Sequence, residues 1–230
     1  MGRRWRLPDS VVLPHLRWWP AVTVIFIIAM AAALDRGVGS RRASSAVDAE
    51  PGAEADQRRY HDRKFRVARV VDGDTIDLDE PDGRDPVTRV RLWGVDSPEI
   101  ASAGGGSMHF GPEASAFARE TLEGRDVHLV LSPKRTRDKY RRVLAYVFLE
   151  RGGVMFNELL AEEGCAYADR RFAHHFKDRF ESAENRARAA RRGLWRNATN
   201  DDFPGWYRRM VVKAEDTDQR TAGMSPAAED

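Results

Sequence analysis

Five short segments with apolar residues at alternate positions, each closed by a turn signal, lie between residues 64 and 149. Such alternation puts one face of a strand in a core and the other toward water. Phe65, Val67, Val70 and Val71 mark the first segment, which runs into Asp72-Gly73. The second covers residues 75–78, the third 87–95, the fourth 127–131 and the fifth 143–149. Between the third and fourth, Gly111-Pro112-Glu113 opens a helix. Proline suits its first turn and the acidic residue complements its N-terminal dipole. Ala114, Phe117, Ala118 and Leu122 share one face of it, and Gly124 stops it. Two more helices come later, over residues 155–163 and 174–192, the second with a stripe of Phe176, Phe180, Ala183, Ala187 and Ala190.

This order predicts an α+β fold: a five-stranded OB-fold β-barrel carrying three helices. With 230 residues and 42% hydrophobic content, the chain can hold one such domain with extensions. We expect the domain over residues 63–196. The lone Cys165 excludes an intrachain disulfide and a cysteine-rich zinc site, and reads as a small buried apolar residue. A formal net charge of +2 does not by itself point to nucleic acid. The distribution of charge does more, because residues 134–142 carry Lys134, Arg135, Arg137, Lys139, Arg141 and Arg142 around Tyr140. That interleaving suits a phosphate-binding rim.

Outside the domain, residues 1–17 form a basic N-terminal segment ahead of an uncharged apolar run over 18–34. Two readings stay open: an uncleaved membrane anchor, or a signal peptide cut in the small-residue stretch 29–33. Either places the barrel domain outside the cytoplasm, membrane-anchored or secreted. Residues 35–62 lack a sustained apolar period and read as a flexible tether. Residues 101–110, with Gly104-Gly105-Gly106, read as mobile. Residues 197–230 read as a partly disordered tail in which Phe203-Pro204-Gly205-Trp206-Tyr207 docks locally.

The chemistry concentrates in two motifs, Asp72-Gly73-Asp74-Thr75 and the run Arg91 to Glu99. They set Asp74, Asp96 and Glu99, with Arg91, at the ends of strands. Arg91 points away from the face carrying Val90 and Leu92. Close carboxylates repel unless a cation sits among them, and oxygen ligands favour calcium or magnesium. A neighbouring arginine suggests an anionic substrate, phosphate first. The adjacent His174-His175 would point to different helix faces, which argues against zinc.

These segments, with Gly111-Pro112-Glu113-Ala114-Ser115, Arg137-Asp138-Lys139-Tyr140, Arg142, Leu144-Ala145-Tyr146, Asn157-Glu158-Leu159-Leu160 and Gly193-Leu194-Trp195, resemble the staphylococcal nuclease family over about residues 64–196. The resemblance implies a calcium-dependent endonuclease acting on DNA and RNA, single-stranded or frayed, as a monomer, leaving 3′-phosphate ends. It implies calcium ligands at Asp74, Asp96 and the Ser97 carbonyl. Glu99 falls at the glutamate that orients or deprotonates the attacking water. Arg91 and Arg142 fall at the arginines that bind the scissile phosphate, and Lys139 and Tyr140 at contacts to a neighbouring phosphate. The chain also departs from the pattern. Arg141 and Val143 flank Arg142 where glycine is common, so a left-handed residue at 141 would be strained. Ser97 replaces a common threonine. Arg170 and Phe172 replace two tyrosines of the nucleotide site, and Phe172 can still stack on a base. The alternative is a membrane-tethered, non-catalytic module of the same fold that binds nucleic acid or protein.

Overall fold

The computed structural model describes residues 52–100 and 106–212. The expected anchor, most of the expected tether, residues 101–105 and residues 213–230 lie outside the described residues. No helix among the described residues is long and apolar enough to cross a membrane.

The chain forms α1 (Ala53–Tyr60), β1 (Arg63–Asp72), β2 (Thr75–Leu78), β3 (Thr88–Leu92), β4 (Val95–Asp96), α2 (Gly111–Leu122), β5 (Asp126–Leu131), β6 (Val143–Phe148), α3 (Phe156–Glu162), β7 (Tyr167–Ala168) and α4 (Lys177–Ala189). Five strands close a barrel in the order β1-β2-β3-β6-β5, and β4 and β7 form a separate two-stranded sheet. All barrel neighbours are antiparallel except β3 and β6, whose parallel pairing sets Val90 beside Val143 and Leu92 beside Ala145. The long β1 pairs with β2 through its second half and with β5 through its first. Two register shifts in β1 supply the bend this requires.

The alternation in the sequence is what fills the barrel. Val67, Val70, Ile76, Leu78, Val90, Leu92, Val127, Leu129, Val143, Ala145 and Val147 are all buried. Full burial of such a side chain contributes roughly 1.5–3 kcal/mol. Helices cover the remaining apolar faces: Phe117 of α2 stacks on Phe156 of α3 at 6.1 Å, and Phe180 of α4 is fully buried. Asn157, at the start of α3, ties the layers together. Its amide donates to the carbonyls of Trp93 and Ala145 and its oxygen accepts the Val147 N–H. Cys165 is buried, as its apolar reading requires.

Two segments differ from the sequence reading. Residues 53–60, expected as the end of a tether, are a helix with acidic residues in its first turn and basic ones in its last. It is held by the buried Tyr60 and by Asp56, which takes a two-pronged contact from Arg137. α4 begins at Lys177 rather than His174. The His174 ring instead packs against Gly94, where a Cβ would stand 2.5 Å from it. The aromatic run after Trp195 docks, as expected from the sequence: Tyr207 is buried against Tyr167 at 4.9 Å, with Phe203 and Trp206 around it.

Candidate functional site

The turn between β1 and β2 builds the acidic side of the site. Asp72 accepts the Asp74 N–H at 3.0 Å, which fixes the turn and aims Asp74 inward. A Cβ on Gly73 would lie 2.7 Å from the Ser97 side chain, so glycine lets Ser97 approach. Ser97 then donates its N–H to Asp74 Oδ2 at 2.6 Å, while the Thr75 hydroxyl reaches Oδ1 at 3.1 Å. Arg91 faces Thr75 across the β2–β3 ladder. Its guanidinium lies 3.1 Å from Asp74 and 2.6 Å from Asp96, and it donates to the carbonyls of Leu92 and Val95. One cation thus bridges two carboxylates, one from the β1–β2 turn and one from β4.

That bridge does not balance the charge. Burial pushes the Asp74 carboxyl up to about 6, with Asp72 adding to the shift against the opposing Arg91 and the Ser97 N–H. Burial likewise raises Asp96, against Arg91. Glu99, exposed at the mouth of the cleft, is raised by partial burial and by both aspartates. The buried Asp74 and the half-buried Asp96, both hard to ionise beside an arginine, are a site for more positive charge. The donors are oxygens, which suits a hard divalent ion. Among the described residues no group of three His, Cys, Asp or Glu side chains forms a metal cage. Asp74 and Asp96 would therefore need carbonyl, water or substrate oxygens to complete a coordination shell.

The second arginine arrives on a loop. Asp138 accepts the N–H groups of Tyr140 and Arg142 and pairs with the Arg142 Nε at 2.7 Å. Arg137, anchored on Asp56 and Asp82, donates to the Arg141 carbonyl. Arg141 itself has φ 66°, the left-handed conformation the sequence made suspect. The strain does not misplace its neighbour: Arg142 reaches the Thr75 hydroxyl at 3.4 Å, on the same side of the barrel as Asp74.

A cleft of about 510 Å³ gathers Asp74, Arg91, Asp96, Glu99, Lys139, Tyr140, Arg142 and Phe172. Ser97 lies beneath it, bonded to Asp74. Phe172 is 40% exposed and stacks on Trp93 at 5.6 Å, making a flat apolar wall. Arg170 does not reach the cleft; it turns inward to the fully buried Glu184 at 3.0 Å. Sequence reasoning missed Asp169, Arg171 and Trp93, which also line the cleft, together with Arg135 of the expected basic rim. Arg171 pairs with Asp169 at 2.8 Å and with Asp96 at 3.0 Å. Its only signal was its place beside Phe172. Also missed was the contact from Trp206, whose indole N–H donates to Asp96 at 2.9 Å.

A closed five-stranded barrel with an acid pair and two arginines at one cleft defines a protein that handles phosphate esters at a barrel surface. The family model described as "Staphylococcal nuclease homologue" matches residues 89–197. The chain is similar to the thermonuclease of Staphylococcus hyicus, 38% identical over 138 residues, covering 60% of this chain and 78% of that one. It is similar to the thermonuclease of Staphylococcus intermedius, 45% identical over 104 residues, covering 45% of this chain and 58% of that one. An uncharacterized protein of Methanocaldococcus jannaschii is 33% identical over 158 residues, covering 59% and 72%. The chain belongs to the staphylococcal nuclease family, and it is a nuclease that hydrolyses phosphodiester bonds.

Proposed function

We propose that the chain is a calcium-dependent endonuclease that cleaves DNA and RNA to products with 3′-phosphate ends. The observation that carries this reading is the cleft itself, where the buried Asp74, the half-buried Asp96, two arginines and an exposed glutamate converge. Asp74 and Asp96 are the residues that would hold calcium, completed by oxygens such as the Ser97 carbonyl. When bound, the ion supplies positive charge that offsets the repulsion between a phosphodiester and an incoming hydroxide. Arg142, and Arg91 once its carboxylates have another partner, bind the charge that builds on the phosphate oxygens. Glu99 orients the attacking water, and its raised pKa brings it nearer to use as a base. Lys139 and Tyr140 lie at the rim for a neighbouring phosphate, and Phe172 on Trp93 offers a surface for a base.

The test uses the full chain with single- and double-stranded DNA and with RNA, in calcium and in chelator. Cleavage in calcium that stops on chelation, with ends that a phosphatase makes extendable, is the expected result. Cleavage that persists unchanged in chelator would sink the calcium role. Binding without cleavage under either condition would favour the non-catalytic module.

For the N-terminal part, the reading of residues 18–34 as a membrane anchor or a signal puts the barrel outside the cytoplasm. A full-length chain found soluble in the cytoplasm would overturn both versions.

A further inference from the structure

The Asp96 carboxylate is held by a part of the chain that stands behind the cleft. In the β4–β7 ladder Asp96 lies opposite Tyr167. The Tyr167 ring is packed edge-on by Trp195, Phe203 and Trp206 and tilted against Tyr207. Tyr207 is buried and donates its hydroxyl to Glu184 at 2.8 Å. Glu184, fully buried, also accepts the Ala168 N–H of β7 at 2.7 Å. Upstream, Thr199 and Asp202 cap each other's backbone. Residues 199–207 are thus anchored on β7 and α4, and they present Trp206 to Asp96 at a fixed place.

Trp206 meets one oxygen of Asp96. Its Nε1–H donates to Oδ2 at 2.9 Å, while Arg91 pairs with Oδ1 at 2.6 Å. Because Arg91 also pairs with Asp74, the contact on Oδ2 leaves Oδ1 turned toward the other carboxylate. Arg171 shares Oδ2 at 3.0 Å and lies over the Trp206 ring at 4.4 Å. Of the three groups on Asp96, two are cations and one is neutral. A divalent ion drawn to the acid pair repels both guanidinium groups. It does not repel the indole, so this hydrogen bond can persist while the charges rearrange.

We propose that Trp206 is a positioning residue for the cation site: its indole N–H fixes the Asp96 carboxylate and thereby sets the affinity for calcium. The proposal rests on the calcium reading above. Partners that orient a ligating carboxylate typically matter about 10- to 100-fold in metal affinity.

Trp206→Phe keeps an aromatic ring and removes the donor. Calcium binding to the full chain is measured by calorimetry, with thermal unfolding in chelator as a control. The expected result is affinity weakened about 10- to 100-fold with an unchanged unfolding midpoint in chelator. In the wild-type chain the Trp206 indole N–H resonance should shift on adding calcium, a readout that does not depend on how the variant folds. Unchanged calcium affinity in Trp206→Phe, or an indole resonance that ignores calcium, overturns the proposal and leaves the calcium reading standing. A wild-type chain that neither binds calcium nor needs it for cleavage overturns both.

Discussion

Arg91 and Arg142 face the same cleft but are held in opposite ways. Arg91 sits on β3, its side chain 12% exposed, with its charge already shared between Asp74 and Asp96. Arg142 sits on a loop, 26% exposed, with Asp138 as its ion-pair partner and Thr75 at 3.4 Å. The first is part of the charge balance of the core; the second is held by one carboxylate that two backbone N–H groups also satisfy. A buried acid left without its partner is costly, whereas Asp138 keeps the Tyr140 and Arg142 N–H groups when the guanidinium is removed. Replacement by methionine should separate the two. Both variants should lose activity by roughly 100-fold or more if both arginines stabilise charge on the phosphate. Arg91→Met should also lose about 3 kcal/mol or more of stability by urea unfolding. Arg142→Met should stay within about 1 kcal/mol of the wild type. Equal stabilities for the two variants would break the distinction.

The same contrast explains what the sequence could reveal. Arg91 was placeable because β3 alternates: Val90 and Leu92 fill the barrel, so Arg91 must face the other way. Asp74 and the turn before it carried their own local signal in Asp72-Gly73. The loop of Arg142 was less legible, because Arg137 is fastened to Asp56, 81 residues away, on a helix with a single large apolar contact. No periodicity marks a two-residue strand, so β7, and with it the support behind Asp96, stayed hidden. Trp206 was read as part of a docking segment, but an indole N–H aimed at one carboxylate is a tertiary fact. Local pattern announces the strands, while ion pairs and aromatic contacts between distant segments set the cleft's far wall.

A second way to sharpen the comparison asks whether Arg91 satisfies the acid pair by itself. Asp74 titrates near 6 in the folded chain, above the ordinary aspartate value of about 3.9. Between those values the native state holds a proton that the unfolded chain has lost. The contribution of Asp74 to stability is therefore fully present below about pH 4 and is lost as the pH rises through 6. Asp74→Asn removes the titration, so in chelator the variant should gain on the wild type by up to about 3 kcal/mol between pH 4 and 7. Calcium should shrink or reverse that gain, since the ion needs the ionised acid. A difference that stays flat across this range would mean that Arg91 compensates Asp74 fully.

The smallest effect belongs to the loop. Arg141 holds φ 66°, and its backbone is pinned on both sides: its N–H donates to the Asp138 carbonyl and its own carbonyl accepts from Arg137. The conformation is imposed by the turn, and a side chain with a Cβ is strained in it. Glycine removes that strain, yet it also gives the unfolded chain more freedom to lose. The two terms oppose each other, so Arg141→Gly should stabilise by only about 0.5 kcal/mol. The hydrogen bonds that place Arg142 belong to Asp138, not to the Arg141 side chain, so activity at saturating substrate should change less than about threefold. Substrate affinity should weaken modestly and more at low salt, because one charge leaves the rim. A large loss of turnover would show that the Arg141 side chain acts in the cleft, and would move it from scaffold to site. A loss of stability would show that the strained backbone is compensated by contacts of the arginine stem, and the loop would then be as firmly built as the strand that carries Arg91.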